Sequence, residues 1–397
     1  MSNNSNSKFV SENIGLYVHI PFCRTKCRYC NFYSVPITEH DPAGVISAMI
    51  AELKQYEPDE NTKTIYIGGG SPSCLPQKLL LQLVNQLSLQ CPPASPDSGL
   101  ASRGGSAEEF TVEVNPGQVN ETLLNQLRKA GVNRLSIGAQ SFIQQELVFL
   151  GRTHNVDSIY DSVRLGRAAG FDNISLDLIF AIPGSSLDSW KQNLHSAVEL
   201  QVDHISAYAL TWEDNTPLGK ALAAGEIQPV DEDTDREMYE LTIDEFEKAG
   251  LGQYEISNFA KDGFQCRHNL NYWANGSYIG IGPAAASYRN GERSTNFADI
   301  GKYVEAIESA ASAAAETETL NGLERACETA VLNLRRLCGI DLAEFKTRTG
   351  FDAAELFADP IRMYQQQGLI NTGDGHVFLT RNALAIADSI LCDFAAV

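Results

Sequence analysis

The chain has 397 residues, 43% of them hydrophobic and 20% charged, with 50 acidic against 30 basic side chains and a net charge of -20. That length supports a full-sized core, expected as one large and one small domain, and the ordinary composition excludes collagen-like, coiled-coil and wholly disordered classes. The acidic surplus has the wrong sign for neutralising phosphates, so nucleic acid is disfavoured as a partner.

The first 13 residues, MSNNSNSKFVSEN, are polar and lack the apolar core of a secretory signal. No apolar run approaches the roughly 18 residues a membrane helix requires. The expectation is a flexible N-terminus over 1–13, no direct membrane insertion and a cytoplasmic location. In a reducing compartment the nine cysteines point to metal or redox chemistry where they cluster, rather than to a disulfide framework.

Six short β-branched runs follow in order, each closed by a polar or Gly-containing turn: residues 15–20 (GLYVHI), 64–68 (TIYIG), 110–114 (FTVEV), 134–138 (RLSIG), 173–180 (NISLDLIF) and 204–210 (HISAYAL). Helical stripes lie between them, such as Leu79, Leu80, Leu83, Val84 and Leu87, and a second beginning at Leu123, Leu124 and Leu127. Strand and helix alternating at this spacing predict a parallel α/β sheet, either a barrel or a doubly wound fold, with functional groups gathered where strands end.

Residues 91–107 are rich in Pro, Gly, Ser and Ala without periodicity and read as a flexible insertion. An Ala-rich stretch, 306–318, reads as helical. Beyond residue 320 the pattern is helices (330–337, 342–347, 361–367) and then a hairpin (369–371 and 377–379), which suggests a small winged-helix-like α+β module. We place the large domain at 14–300 and the module at 301–397. From residue 322 the module carries seven basic and ten acidic side chains, which disfavours a DNA-reading role.

The strongest chemical signal is HIPFCRTKCRYCNFYS, in which Cys23, Cys27 and Cys30 follow the first strand with C-x3-C-x2-C spacing. Three thiolates on so short a loop can surround one face of a [4Fe-4S] cluster and leave one iron open. A structural zinc site or free core thiols are the alternatives. Zinc usually takes four ligands in paired spacings, and no second pair lies nearby. After the second run, Gly68, Gly69, Gly70, Ser71 and Pro72 offer backbone that a ligand can approach closely. Glu113 (EVNPG), Gln140 (GAQSF), Arg152 (LGRTH) and Asp177 (SLDLIF) lie at or beyond successive strand ends. Each alone reads equally as a cap or a surface ion-pair partner; together they suit one shared ligand.

The cysteine motif, with aromatic Tyr29 before its last member, resembles that of the radical S-adenosylmethionine superfamily. The strings YVHIPFC, GGGSPS, EVNPG, RLSIGAQSF, DLIFAIPG, YEISNFA and HNLNYW extend the likeness to the HemN/HemW family over nearly the whole chain. That resemblance implies a partial (β/α)6 barrel. It also implies that S-adenosylmethionine chelates the open iron and is cleaved by one electron to a 5'-deoxyadenosyl radical. Cofactor contacts carry over to Tyr17, Tyr29, Gly69, Gly70, Ser71, Glu113, Gln140, Arg152, Asp177, Ala209 and Ala286. Coproporphyrinogen oxidases of the family have a further cysteine two residues after the third; here Phe32 stands there, as in the haem-chaperone branch. The resemblance therefore implies haem as cargo, haem-accepting proteins as partners and haem handling at His268, with Cys266 as a second possible ligand. The alternative for His268 is a satisfied structural imidazole. The electron donor is left open, and the acidic charge favours small tetrapyrroles over RNA within the superfamily.

Overall fold

All six β-branched runs form strands, because the alternate residues of each have an apolar layer to meet on the helix side. These are β1 (Ile14–Ile20), β2 (Thr62–Gly69), β3 (Glu109–Val114), β4 (Arg134–Gln140), β5 (Asn173–Phe180) and β6 (His204–Ala209). The computed structural model describes residues 13–56, 62–92, 107–289 and 291–396. The N-terminal stretch through residue 12, and residues 93–106 of the expected insertion, lie outside the described residues.

Helices return the chain between strands: α1 (Pro42–Gln55), α2 (Gln77–Gln90), α3 (Glu121–Lys129), α4 (Gln144–Leu150), α5 (Val156–Ala168) and α6 (Leu187–Glu199). The stripe on α2 buries Leu80, Leu83, Val84 and Leu87, and that on α3 buries Leu123, Leu124 and Leu127 behind an Asn120 cap. Strands β1 to β6 are parallel neighbours in chain order, as right-handed β/α units require.

The sheet continues past both ends of this set. After α7 (Pro217–Ala223) and α8 (Glu232–Lys248) come β7 (Gly252–Glu255) and β8 (Asn258–Ala260), with β8 antiparallel to β6. Helix α9 (Arg267–Trp273) leads to β9 (Ser277–Ile281), which pairs parallel with β1. β10 (Ala286–Arg289) and β11 (Glu292–Asn296) follow, then α10 (Ile300–Glu308) and β12 (Ala314–Thr319). The order is β12-β11-β10-β9-β1-β2-β3-β4-β5-β6-β8-β7, a curved open sheet in which β6 does not close onto β1. The fold is the expected partial barrel.

The helical reading of 306–318 is corrected. Helix α10 ends at Glu308, and 314–319 is an edge strand paired antiparallel with β11, Glu318 opposite Arg293. Residues 301–319, placed with the C-terminal module by their sequence, thus contribute an outer strand of the large sheet. Beyond them, α11 (Gly322–Leu334) and the helices at 342–349, 353–356, 358–366, 381–384 and 387–395 surround a three-stranded sheet. The expected hairpin is there as β14 (Ile370–Gly373) and β15 (His376–Leu379), joined by β13 (Ile340–Asp341).

Candidate functional site

The lumen of the partial barrel opens at the strand C-termini into a cavity of about 520 Å³. Cys23, Cys27 and Cys30 line its mouth on the loop after β1. That loop is held from both sides. Arg28 N donates to Leu150 O at 3.0 Å, and Leu218 N donates to Arg28 O at 3.0 Å. Arg28 Nη1 reaches Phe149 O at 3.2 Å, its guanidinium lying over the Phe149 ring. Tyr29 packs into a small apolar cluster of Leu150, Ile179, Ile182, Leu210 and Leu218.

All three thiols are free, and burial raises those of Cys23 and Cys30 above the ordinary range. Among the described residues no three His, Cys, Asp or Glu side chains gather closely enough to hold a single metal ion. Three soft sulfurs around one mouth, with no fourth ligand beside them among the described residues, fit a cluster better than a closed zinc site.

The glycine run at the end of β2 is sterically required. A Cβ on Gly70 would sit 2.4 Å from Phe22 O, one on Gly68 2.8 Å from the Glu113 carboxyl, and Gly69 has φ +100 over the His19 ring. Ser71 Oγ donates to Gln118 Oε1 (3.0 Å) and accepts from Asn115 Nδ2 (2.8 Å), which ties this loop to the turn after β3. Arg152 follows the left-handed Gly151 that ends α4. Its guanidinium donates to Asn115 Oδ1 (2.5 Å), Gly138 O (2.8 Å) and Cys27 Sγ (3.4 Å), so one buried cation links three loops. Gln140 is non-glycine at φ +67, where the β4–β5 register shifts; this bulge turns the residue into the cavity.

Glu113 accepts from Tyr66 OH at 2.8 Å. Burial, and then the Asp177 charge, push its carboxyl up to about 7. Burial raises Asp177 as well, against hydrogen bonds from Ser206 and Ser136. Between the ordinary 4.5 and about 7, native Glu113 keeps a proton that the unfolded chain has released. Stability from this group is therefore complete below the window and falls as pH rises through it. Denaturant midpoints of cluster-free wild type and Glu113→Gln are expected to diverge across that window, wild type losing stability relative to the variant; parallel curves would refute the shift.

Of the sequence-proposed cofactor residues, Tyr29, Gly69, Gly70, Ser71, Glu113, Gln140, Arg152, Asp177 and Ala209 line the cavity. Tyr17 and Ala286 do not. The Tyr17 hydroxyl is turned to His19 Nδ1 at 2.9 Å, and Ala286 begins β10 beyond the barrel. His268 and Cys266 are also absent from the wall and are placed otherwise than expected. His268 is 1% exposed on α9, which plugs the lumen's lower end. Its Nδ1 meets Thr64 Oγ1 at 2.8 Å and its Nε2 meets Tyr272 OH at 3.0 Å, so neither ring nitrogen is open to iron. Burial lowers its pKa to about 3 and keeps the ring neutral. Cys266 is fully buried and directs Sγ to Glu109 Oε1 at 3.5 Å. Tyr66, Asn115, Gln118, Arg134, Ser136 and Asn269 were not singled out by the sequence reading and line the cavity. Counting back in twos from Gln140 along β4 leads to Ser136 and Arg134, the signal that would have found those two.

The Radical SAM superfamily model matches residues 17–197, and the HemN C-terminal domain model matches 320–386. The chain is 33% identical over 383 residues to "Heme chaperone HemW" of Bacillus subtilis, covering 95% of this chain and 98% of that one. To the protein of the same name in Escherichia coli K12 it is 36% identical over 278 residues, 68% and 69% of the two chains. The solved coproporphyrinogen III oxidase HemN of Escherichia coli superposes with a TM-score of 0.80 at 19% identity, over 97% of this chain and 90% of that one, a likeness of fold. With the cysteine loop, the partial barrel and near full-length identity to such relatives in place, the chain belongs to the HemW family of the radical SAM superfamily.

Proposed function

We propose that this protein is a haem chaperone that carries a [4Fe-4S] cluster and S-adenosylmethionine, binds haem and delivers it to haem proteins. The observation that carries the reading is the near full-length match to relatives named for that activity. Phe32, 68% exposed beside the cysteine loop, supports it, because the oxidase branch has a cysteine at that position.

Cys23, Cys27 and Cys30 would hold the cluster. When bound, it supplies a one-electron reductant beside an iron that three protein thiolates leave open. The rest is work of the chain's own residues. Backbone at Gly69 and Gly70 admits the amino-acid end of the nucleoside, and the Glu113 carboxylate accepts from its ammonium or ribose hydroxyls. Ammonium binding requires Glu113 ionised, so affinity for S-adenosylmethionine falls as pH drops below about 7. Arg152 holds Cys27 and the turn after β3 in a fixed relation, and Asp177 and Gln140 close the far wall.

The test pairs two measurements on anaerobically reconstituted protein. Haem titration is expected to give saturable binding. Coproporphyrinogen III with S-adenosylmethionine and a reductant is expected to give no protoporphyrinogen. Catalytic formation of that product would replace the chaperone reading with the oxidase one.

A further inference from the structure

A run of aromatic rings crosses the lumen floor. Tyr66 lines the cavity, and its ring stacks on the His268 imidazole with centroids 5.2 Å apart. His268 meets Tyr272 edge-on at 4.8 Å, and Tyr272 meets Tyr278 edge-on at 4.6 Å. Tyr272 and Tyr278 are half-buried. Tyr278 stands opposite Gly15 in the β9–β1 pairing, at the end of the sheet away from the cysteines. The four rings thus lead from the cavity wall to solvent at the lower end of the barrel.

Packing alone does not ask for tyrosine at these places. Phenylalanine fills such space elsewhere in the core, as in the pairs Phe246–Phe259 and Phe345–Phe357, without bringing a hydroxyl that has to be satisfied. Here the hydroxyls of Tyr66 and Tyr272 face proton acceptors. Tyr66 OH donates to Glu113 Oε1 at 2.8 Å, and Tyr272 OH lies 3.0 Å from His268 Nε2. Burial keeps that imidazole neutral and therefore able to accept. A phenol gives up an electron readily only when its proton has somewhere to go, and both contacts are short enough for the transfer. Tyrosine yields electrons only to strong oxidants. The path therefore suits oxidising equivalents, not the low-potential electrons that reduce an iron-sulfur cluster.

We propose that Tyr66, Tyr272 and Tyr278, bridged by His268, form a relay that clears a carbon-centred radical stranded in the lumen and passes the oxidation to a small thiol in solution. The radical takes the hydrogen atom of the Tyr66 hydroxyl, forming a C–H bond and leaving a tyrosyl radical. An electron from Tyr272 then reduces Tyr66, the Glu113 carboxyl supplies the proton, and the Tyr272 proton passes to His268 Nε2. Tyr278 next gives an electron to Tyr272, which recovers its proton from His268, while the Tyr278 proton goes to water. The thiol gives its S–H hydrogen atom to Tyr278, and two of the resulting thiyl radicals couple to a disulfide. Glu113 regains its proton from cavity water, so one C–H bond is made for each S–H bond broken. The supply of radicals rests on the one-electron chemistry of the proposed function. The aromatic path does not, and it is tested without cluster or nucleoside.

The test uses full-length cluster-free protein carrying Cys338→Ser and Cys392→Ser, which remove the two exposed thiols; the other cysteines outside the loop are buried. A ruthenium-bipyridine maleimide then labels the cysteine loop. Flashed with an irreversible cobalt(III) acceptor, the label becomes a strong oxidant at the cavity mouth, and adducts of a nitroso spin trap are located by peptide mass spectrometry. Because Tyr278 lies at the other end of the barrel, an adduct there has to arrive through the protein. Adducts on Tyr278 are expected, falling at least tenfold when Tyr272→Phe removes the hydroxyl but keeps the ring. Absence of a Tyr278 adduct, or a yield unchanged by Tyr272→Phe, would overturn the relay. Should Tyr272→Phe fail to fold, Tyr66→Phe removes the entry instead and is expected to give the same loss; an unchanged yield there overturns the relay equally. Neither readout depends on haem, so the relay and the chaperone reading fail separately.

Discussion

Cys27→Ala is expected to abolish the visible iron-sulfur absorption of reconstituted protein, with labile iron and sulfide falling to background. Cluster-free variant and wild type should unfold within a few degrees of one another. The thiol is only partly buried, and Arg152 keeps its bonds to Asn115 and Gly138 without it, so its removal resembles a surface substitution in stability, within about 0.5 kcal/mol. Cys74→Ala is the matched control. Its thiol faces Phe22 O at 3.5 Å, away from the cavity, and its loss should leave the absorption intact. A Cys27→Ala protein that kept the chromophore would refute the ligand assignment, whatever its stability.

His268→Ala should do the opposite, lowering stability by about 3 kcal/mol while leaving the haem affinity of the folded protein unchanged. The imidazole fills the space between Tyr66 and Tyr272, with ring centroids at 5.2 and 4.8 Å. Truncation opens a void there and leaves Thr64 Oγ1 and Tyr272 OH without this partner. The measurement is a urea midpoint together with a haem titration at denaturant-free conditions. Reduced haem affinity at an unchanged midpoint would restore the axial-ligand role that the family likeness implies. The pH response provides a second check. Native His268 is depressed to about 3 from 6.5, so the unfolded chain binds the proton first and this residue's contribution is lost as pH falls through that interval. The variant should lack that component of acid sensitivity.

These two contrasts show where sequence pattern and geometry part. The six core strands were legible because each is a β-branched run bounded by turn residues, and burial on both faces leaves no competing period. The cysteine loop was legible because chemistry fixes its spacing. The helical expectation for 306–318 failed because alanine propensity is local. Pairing is not: Glu316 and Thr317 find partners on β11, with Arg293 and Glu318 adding a cross-strand ion pair at 3.8 Å. His268 was misplaced for a related reason. HNLNYW carries the residue types that touch porphyrins, yet whether its imidazole faces a cavity or plugs a floor depends on how α9 docks against β1 and β2. Arg134 carries no such signal because it stands at the start of its strand, at the opposite end from the turn residues that mark a site.

The parallel pairing of β9 with β1 also sets an order of events during synthesis. Ile14 lies opposite Ser277, and the Cβ position of Gly15 is 3.1 Å from the His268 ring, so the first strand made is completed by segments more than 250 residues later. Contacts of that separation are slow to form, and domains of this size commonly pass through partly assembled states. A nascent chain therefore carries β1 with one edge unpaired and its lumen floor unplugged until α9 and β9 have been made. Its three cysteines emerge early, beside a barrel that is not yet whole. Any cluster assembly that needs the finished scaffold would therefore come late in the life of the chain, and a truncated product ending before residue 267 presents the cysteine motif without the helix and strand that complete the barrel.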